Sequence, residues 1–296
     1  MSGETLVTDA LLAGWRPPVI SDDSDKDSRG RVMVLASGAG VAGATLLTAT
    51  AALRAGAGKL RIAAPRSLAT HLALAMPEAR VFPAVETPDG ELAPEAADAL
   101  ADVLRSCDAL VVGPGMLDEG SAGELALRII EGKGPAMVVD AAAMRGLAEA
   151  PERARRLAGR MVLTPHAGEM ASLAGCSKED VAADPLGVAR KAAAELKAVI
   201  ALKGPTTLVV SPDGAAWRHD GGLAGLATSG SGDVLAGVIA GLLARGCAPA
   251  QAAVWGVVAH ARAGKRLSER VARIGFLARE LVDEIAPVLG ELEAPR

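Results

Sequence analysis

A single α/β domain, with a mostly parallel central sheet and helices on both faces, is the fold class this sequence predicts. Three observations predict it. From residue 32 onward, short continuous apolar runs alternate with Ala- and Leu-rich helical stretches. The apolar runs lack in–out alternation, as strands covered on both faces should. The chain of 296 residues suits one large domain, and no long linker or internal repeat divides it.

The elements follow in order. Residues 1–29 are expected to be an irregular lead-in. Their stretch Asp22-Asp23-Ser24-Asp25-Lys26-Asp27-Ser28-Arg29 reads as a solvated run. The domain then runs over 30–296. Strands are expected at 32–36, 60–63, 109–112, 136–139, 161–163, 199–202 and 208–210. Helices are expected at 43–55, 67–75, 94–105, 121–131, 185–197, 230–245, 249–268 and 276–289. In open α/β sheets ligands sit beyond the carboxyl ends of the strands. The polar residues there are Ser37-Gly38, Gly113-Pro114-Gly115, Asp140, Thr164-Pro165-His166 and Lys203-Gly204-Pro205-Thr206-Thr207. All are expected on one rim.

Composition removes several classes of function. Half the residues are hydrophobic, but only 2% are aromatic and none is Tyr. Base stacking on aromatics, as in single-strand nucleic-acid binders, is not available. The net charge is −4, with no long basic run, which argues against a nucleic-acid partner. No apolar run reaches membrane length, and the N-terminus lacks a cationic segment followed by an apolar one. The spacing of Cys107, Cys176 and Cys247 fits neither a zinc site nor a disulfide framework. A reducing, cytoplasmic interior is expected.

The most informative stretch is Gly225-Leu226-Ala227-Thr228-Ser229-Gly230-Ser231-Gly232-Asp233, followed by an apolar helical stripe from Val234 to Leu243. Glycines let backbone approach a ligand closely, and free N–H groups at a helix start favour an anion. Asp233 sits at that same end. It reads as a base for a hydroxyl that attacks a phosphate held by Gly230, Ser231 and Gly232. The helix dipole is expected to keep it ionised. The plainer reading is an Asp that only steadies the first helical turn.

Gly38-Ala39-Gly40-Val41-Ala42-Gly43 matches G-x-G-x-x-G between a strand and a helix. The acidic residue of a dinucleotide site is missing: the second strand ends in Ala63-Ala64-Pro65-Arg66. A loop that meets a ligand in another way fits better. No G-x-x-x-x-G-K-[ST] loop is present. Lys203 can neutralise phosphate, with Thr206 and Thr207 adding hydroxyls, or the segment is a polar hairpin turn. His166 can meet substrate and Glu169 can hold a hydrated metal; equally, Glu169 can favour a helix start. His71, His219 and His260 read as structural. No Ser/His/Asp nucleophile elbow or zinc helix is found.

Taken in order, these motifs resemble the ADP-dependent NAD(P)H-hydrate dehydratases of the ribokinase-like superfamily. The likeness runs from about Lys26 to Leu289. It rests on Arg29-Gly30-Arg31-Val32, Gly43-Ala44, Ala51-Ala52-Leu53-Arg54-Ala55-Gly56-Ala57-Gly58, Gly113-Pro114-Gly115, Val139-Asp140-Ala141, Leu163-Thr164-Pro165-His166-Ala167-Gly168-Glu169, Leu202-Lys203-Gly204 and Gly230-Ser231-Gly232-Asp233-Val234-Leu235-Ala236-Gly237. The chain departs from the family pattern at Ala42, Ala142 and Ala167, and has Ala36-Ser37-Gly38 in place of Gly-Gly-Ser.

The resemblance implies a ribokinase-like fold and a nucleotide-repair reaction. The S-epimer of hydrated NADH or NADPH would be dehydrated at the expense of ADP, releasing AMP and phosphate. It implies that Ala44, Gly115, His166 and Asp233 contact the hydrate. Lys203, Gly204, Pro205, Thr206, Thr207 and Gly232 would contact the adenine nucleotide, ADP or ATP. Asp233 would be the catalytic base, with Mg2+ as cofactor and Glu169 reaching it through water. A homo-oligomer, a tetramer, is implied too. Two alternatives stand beside this: a ribokinase-like kinase of a small alcohol of the thiazole or pyridoxine type, and a non-catalytic nucleotide-binding regulator.

Overall fold

After a first short strand at one edge of the sheet, the chain crosses to the interior, runs to the opposite edge, and then returns to build the side between. In the computed structural model, which describes residues 3–21 and 23–294, the strands are β1 (Thr5–Leu6), β2 (Arg31–Leu35), β3 (Lys59–Pro65), β4 (Ala79–Ala84), β5 (Ala109–Val112), β6 (Ala136–Val139), β7 (Met161–Leu163), β8 (Val199–Leu202), β9 (Thr207–Val210) and β10 (Ala216–His219). Met1, Ser2 and Asp22 of the expected lead-in, and Pro295 and Arg296 of the expected domain, lie outside the described residues.

Among the described residues the strands form one sheet in the order β1-β10-β9-β8-β7-β6-β5-β2-β3-β4. The pairs from β8 through to β4 are all parallel, while β9 pairs antiparallel with both β8 and β10. The expected mostly parallel sheet is observed. The strand order reverses between β2 and β5. Their carboxyl ends therefore open a crevice at a topological switch point.

Both faces of the sheet are covered. Val32 and Val34 of β2 join one core with the helices Ala42–Arg54, Ser231–Ala244, Pro249–Arg270 and Ala278–Glu293. Met33 and Leu35 point the other way, into a second core with the helix Glu119–Glu131. Burying each such Val or Leu stabilises the fold by about 1.5–3 kcal/mol relative to leaving it exposed. With few aromatics, close approach replaces bulk. A Cβ at Gly237 would lie 2.2 Å from the Thr48 carbonyl oxygen, and one at Gly241 would lie 2.4 Å from that of Ala52. Bare glycines thus let the 231–244 helix press against the 42–54 helix. Thr48 Oγ1 donates to the Asp233 carbonyl at 3.1 Å and ties the two together beside Asp233.

Several elements differ from expectation. Residues 1–29 are not wholly irregular. Strand β1 pairs parallel with β10, and the helix Asp9–Gly14 follows it, capped by the Thr8 hydroxyl. Trp15 stacks on Trp217 with ring centroids 5.2 Å apart. The β1–β10 pairing and the Trp15–Trp217 stack are long-range, so local sequence did not announce them. The strands β4, at one edge, and β10, next to the edge strand β1, were not expected. Neither is buried on both faces, so neither shows a continuous apolar run. The helix expected at 94–105 is two short pieces, Ala96–Ala99 and Ala101–Arg105. Short helices at Met144–Glu149 and Lys178–Ala183 had no periodic signal long enough to read. Among the described residues no helix is long and apolar enough to cross a membrane.

Candidate active site

The strand ends assemble a polar network by simple succession. Asp140 follows β6, Thr164 follows β7 and Lys203 follows β8. Because these strands are neighbours, the three side chains meet. Asp140 Oδ1 accepts from Thr164 Oγ1 at 2.6 Å and from Lys203 Nζ at 3.1 Å. Asp140 is only 3% exposed, so its charge would be costly without the ammonium. The Lys203 backbone N–H donates to the Pro165 carbonyl at 2.8 Å, extending the β7–β8 pairing to the loop.

Asp233 enters from the opposite direction, on the first turn of the 231–244 helix. Gly230 caps that helix in the left-handed region, at φ +87°. A Cβ at Gly232 would lie 3.5 Å from Lys203 Nζ and 4.0 Å from Asp140 Oδ2. The bare backbone therefore leaves room at the helix start beside the ammonium. Burial, with the charge of Asp140 adding to it and that of Lys203 opposing it, pushes the Asp233 carboxyl up to about 6. The carboxyl is thus harder to ionise than the helix dipole alone implies, yet it stays mostly ionised at neutral pH, as expected. Removal from water and a neighbouring carboxylate outweigh a partial charge that acts only over one turn. Burial disfavours the Lys203 ammonium, but Asp140, Glu169 and Asp233 together hold its pKa above the ordinary lysine value.

On one side of this junction lies a cavity of about 700 Å³, within the size range of small-molecule sites. Lys203, Gly204, Pro205 and Thr207 line it, as do Ser231, Gly232 and His166. Thr206 and Gly230 are not among its lining residues. Thr206 Oγ1 instead donates to Asp220 at 3.0 Å, and Thr207 Oγ1 donates to the Gly204 carbonyl at 3.4 Å. The Ser231 backbone N–H is taken by the Thr228 carbonyl at 3.2 Å.

On the other side lies the β2–β5 crevice. Gly115, at φ +68°, packs so closely that an added Cβ would lie 2.6 Å from Ala44 Cβ and 3.0 Å from Ser37 Cβ. The two motifs that carry Ala44 and Gly115 thus meet at the switch point. The Gly38–Gly43 loop is a short 3-10 turn, Ala39–Val41, followed by the helix Ala42–Arg54. It approaches the buried Glu91, whose carboxylate accepts from the Leu117 backbone N–H at 2.8 Å.

His166 and Glu169 form a reciprocal cap. His166 Nδ1 accepts from the backbone N–H groups of Gly168 and Glu169, and Glu169 Oε2 accepts from His166 N at 2.8 Å. Glu169 also lies 3.8 Å from Lys203 Nζ. Among the described residues no cluster of three or more His, Cys, Asp or Glu side chains is arranged to hold a metal.

Two residues carry more than the sequence suggested. Asp140 was visible as a polar residue after a strand, but not as the partner of Lys203. His260, read as structural, lines the cavity and sits 3.0 Å from Ser231 Oγ. Helical periodicity alone gave no sign of that. His219 also lines the cavity.

A family model described as NAD(P)H-hydrate dehydratase matches residues 32–287. The chain belongs to the NAD(P)H-hydrate dehydratase family. Among its curated relatives is the ADP-dependent (S)-NAD(P)H-hydrate dehydratase of Xanthomonas campestris. The two are 44% identical over 292 residues, covering 99% of each chain. Among solved structures, the ADP/ATP-dependent NAD(P)H-hydrate dehydratase of Bacillus subtilis, co-crystallised with ATP/Mg2+, superposes with a TM-score of 0.82 at 25% identity. The match covers 99% of this chain and 100% of that one. A ribokinase-like superfamily protein of Enterococcus faecalis matches in fold, with a TM-score of 0.85 at 22% identity over 100% of this chain and 98% of the other. The hydrate dehydratase family therefore joins the ribokinase-like fold here, as the motif order implied.

Proposed function

We propose that the protein is an ADP-dependent (S)-NAD(P)H-hydrate dehydratase that returns hydrated NADH or NADPH to the reduced dinucleotide. One observation carries this reading. The Asp140–Lys203 pair and Asp233 stand at the junction between a nucleotide-sized cavity and the switch-point crevice. Its family membership agrees.

In this reading the adenine nucleotide occupies the cavity lined by Lys203, Gly204, Pro205, Thr207, Ser231 and Gly232, with Thr206 and Gly230 shaping the loop and the helix start. The hydrate occupies the crevice near Ala44, Gly115 and His166. Its ring hydroxyl is directed at the β-phosphorus of ADP. Asp233 takes the hydroxyl proton as the new O–P bond forms and the bond to AMP breaks. Lys203 and the backbone at Gly232 offset the charge on the phosphoryl oxygens. The phosphorylated ring then loses phosphate by C–O cleavage and gives up a ring proton, which restores the double bond.

The donor set also suits Mg2+. Magnesium keeps several waters and takes one or two carboxylates plus substrate phosphates. An all-protein cage is therefore not needed. Glu169, partly exposed and already bonded to His166 N, would reach the ion through water. The ion would supply charge neutralisation on the phosphates. A homo-oligomer, expected as a tetramer, and a cytoplasmic location belong to the same reading. The three cysteines are free, in keeping with a reducing compartment.

The test is an assay of purified protein with hydrated NADH and either ADP or ATP, with magnesium. Recovery of reduced nicotinamide absorbance and release of phosphate are expected. Nucleotide at 100 times its Kd should also stabilise the fold by about 2.7 kcal/mol and raise Tm. Phosphorylation of a small alcohol without dehydration would instead mark a kinase. Nucleotide binding with no turnover of either kind would mark a regulator.

A further inference from the structure

We infer that His260 is a positioning residue of the nucleotide site: its Nε2–H donates to Ser231 Oγ and leaves the Ser231 hydroxyl proton free to bind a phosphate oxygen. The inference rests on the adenine nucleotide occupying the cavity, as proposed above.

The two side chains come from different helices, Ser231–Ala244 and Pro249–Arg270, which pack together. Both residues are buried, and both line the cavity of about 700 Å³. Their contact is 3.0 Å, Oγ to Nε2. The Ser231 backbone N–H is already given to the Thr228 carbonyl at 3.2 Å. The hydroxyl is therefore the one donor Ser231 can still offer a ligand.

A hydroxyl has one proton and two lone pairs. If that proton went to His260, Ser231 would turn lone pairs toward the cavity and repel an anion. If His260 donates instead, the Ser231 proton is free for the anion, which forms the stronger, charge-assisted bond. The ligand therefore selects the Nε2–H tautomer, since the partner of a ring nitrogen decides where the proton sits. Burial, with the Lys203 charge adding to it and the Ser231 backbone opposing it, pushes the His260 pKa down to about 4. The imidazole is thus neutral at working pH and acts by orientation alone. Val257 and Ala261 line the same cavity from the same helix, one turn apart on the face that carries His260.

The experiment compares ADP with adenosine, using calorimetry on the full chain. Wild type is expected to bind both, ADP more tightly. Ser231→Ala and His260→Leu should each weaken ADP binding about tenfold and leave adenosine within about threefold. The double variant should bind ADP no worse than Ser231→Ala alone, because the two residues serve one bond. His260→Gln, whose amide N–H can take the place of Nε2–H, should stay within about threefold of wild type for ADP. Wild-type ADP affinity in His260→Leu, equal losses for ADP and adenosine, or additive losses in the double variant would each overturn the inference. Should His260→Leu fail to fold, His260→Gln decides: retained ADP affinity supports the pair, and a tenfold loss rejects it. If wild type binds no ADP, the dehydratase reading itself falls, and this inference with it.

Discussion

Lys203 Nζ lies 3.1 Å from Asp140 Oδ1, a contact between residues 63 positions apart in the chain. The pair sets the charge balance of the whole site. Asp140 is buried and has Thr164 as its other partner. Lys203 is shared with Glu169 at 3.8 Å, and Asp233 also supports its charge. A phosphate arriving beside Lys203 thus meets an ammonium already fixed by carboxylates.

Lys203→Ala should weaken adenine-nucleotide binding at least about tenfold, and by more than dinucleotide binding. It should also lower stability by about 3 kcal/mol, because Asp140 loses its buried partner. Calorimetry with each ligand and denaturant melts check this. Equal weakening of both ligands would count against the placement of Lys203 at the nucleotide.

Asp233→Asn keeps size and hydrogen bonding but cannot take a proton at neutral pH. General-base catalysis contributes roughly 10²–10⁴-fold. The variant should fold, bind nucleotide, and lose at least about 100-fold in turnover of hydrated NADH. Turnover within a few-fold of wild type would leave Asp233 only its role at the helix start.

The raised pKa of Asp233 makes two pH predictions. Turnover should rise with pH through about 6, as the base ionises. For stability the sign runs opposite to that of a salt-bridged acid. Between the unfolded value near 3.8 and the folded value of about 6, the native state holds the proton that the unfolded state has lost. Stability attributable to this group is therefore present at low pH and falls as pH rises through that window. Asp233→Asn should consequently be more stable than wild type above pH 6, by up to about 3 kcal/mol. Melts across pH 4–8 decide it; a variant less stable than wild type at pH 8 would contradict the burial argument.

Gly115→Ala places a Cβ 2.6 Å from Ala44 Cβ, at a backbone φ of +68°. The left-handed conformation alone costs about 1 kcal/mol or more for a residue with a side chain. The variant should melt at a lower temperature and lose dinucleotide affinity more than ADP affinity. Unchanged binding of both ligands would remove the β2–β5 crevice from the substrate side.

The sequence by itself determined the sheet, the rim and the candidate base. Buried parallel strands show as short apolar runs, so β2, β3 and β5 through β9 were legible to within a few residues. Once the alternation of strand and helix is known, residues after each strand must share one end of the sheet, which placed Ser37, Gly115, Asp140, His166 and Lys203 on one rim. Periodicity and the glycine–aspartate step likewise set the 231–244 helix with Asp233 at its start. Only the tertiary structure decided what depends on contacts between distant segments. It brought β1 to β10 and so placed β1 at the sheet edge, a pairing that a two-residue strand does not announce. It joined Asp140 to Lys203 and set His260 against Ser231, 29 residues away. It also raised the Asp233 pKa against the pull of the helix dipole. The dipole of a helix is a local property that can be read from residues in order. The loss of water around a carboxylate is fixed by everything packed over it, and exists only once the chain has folded.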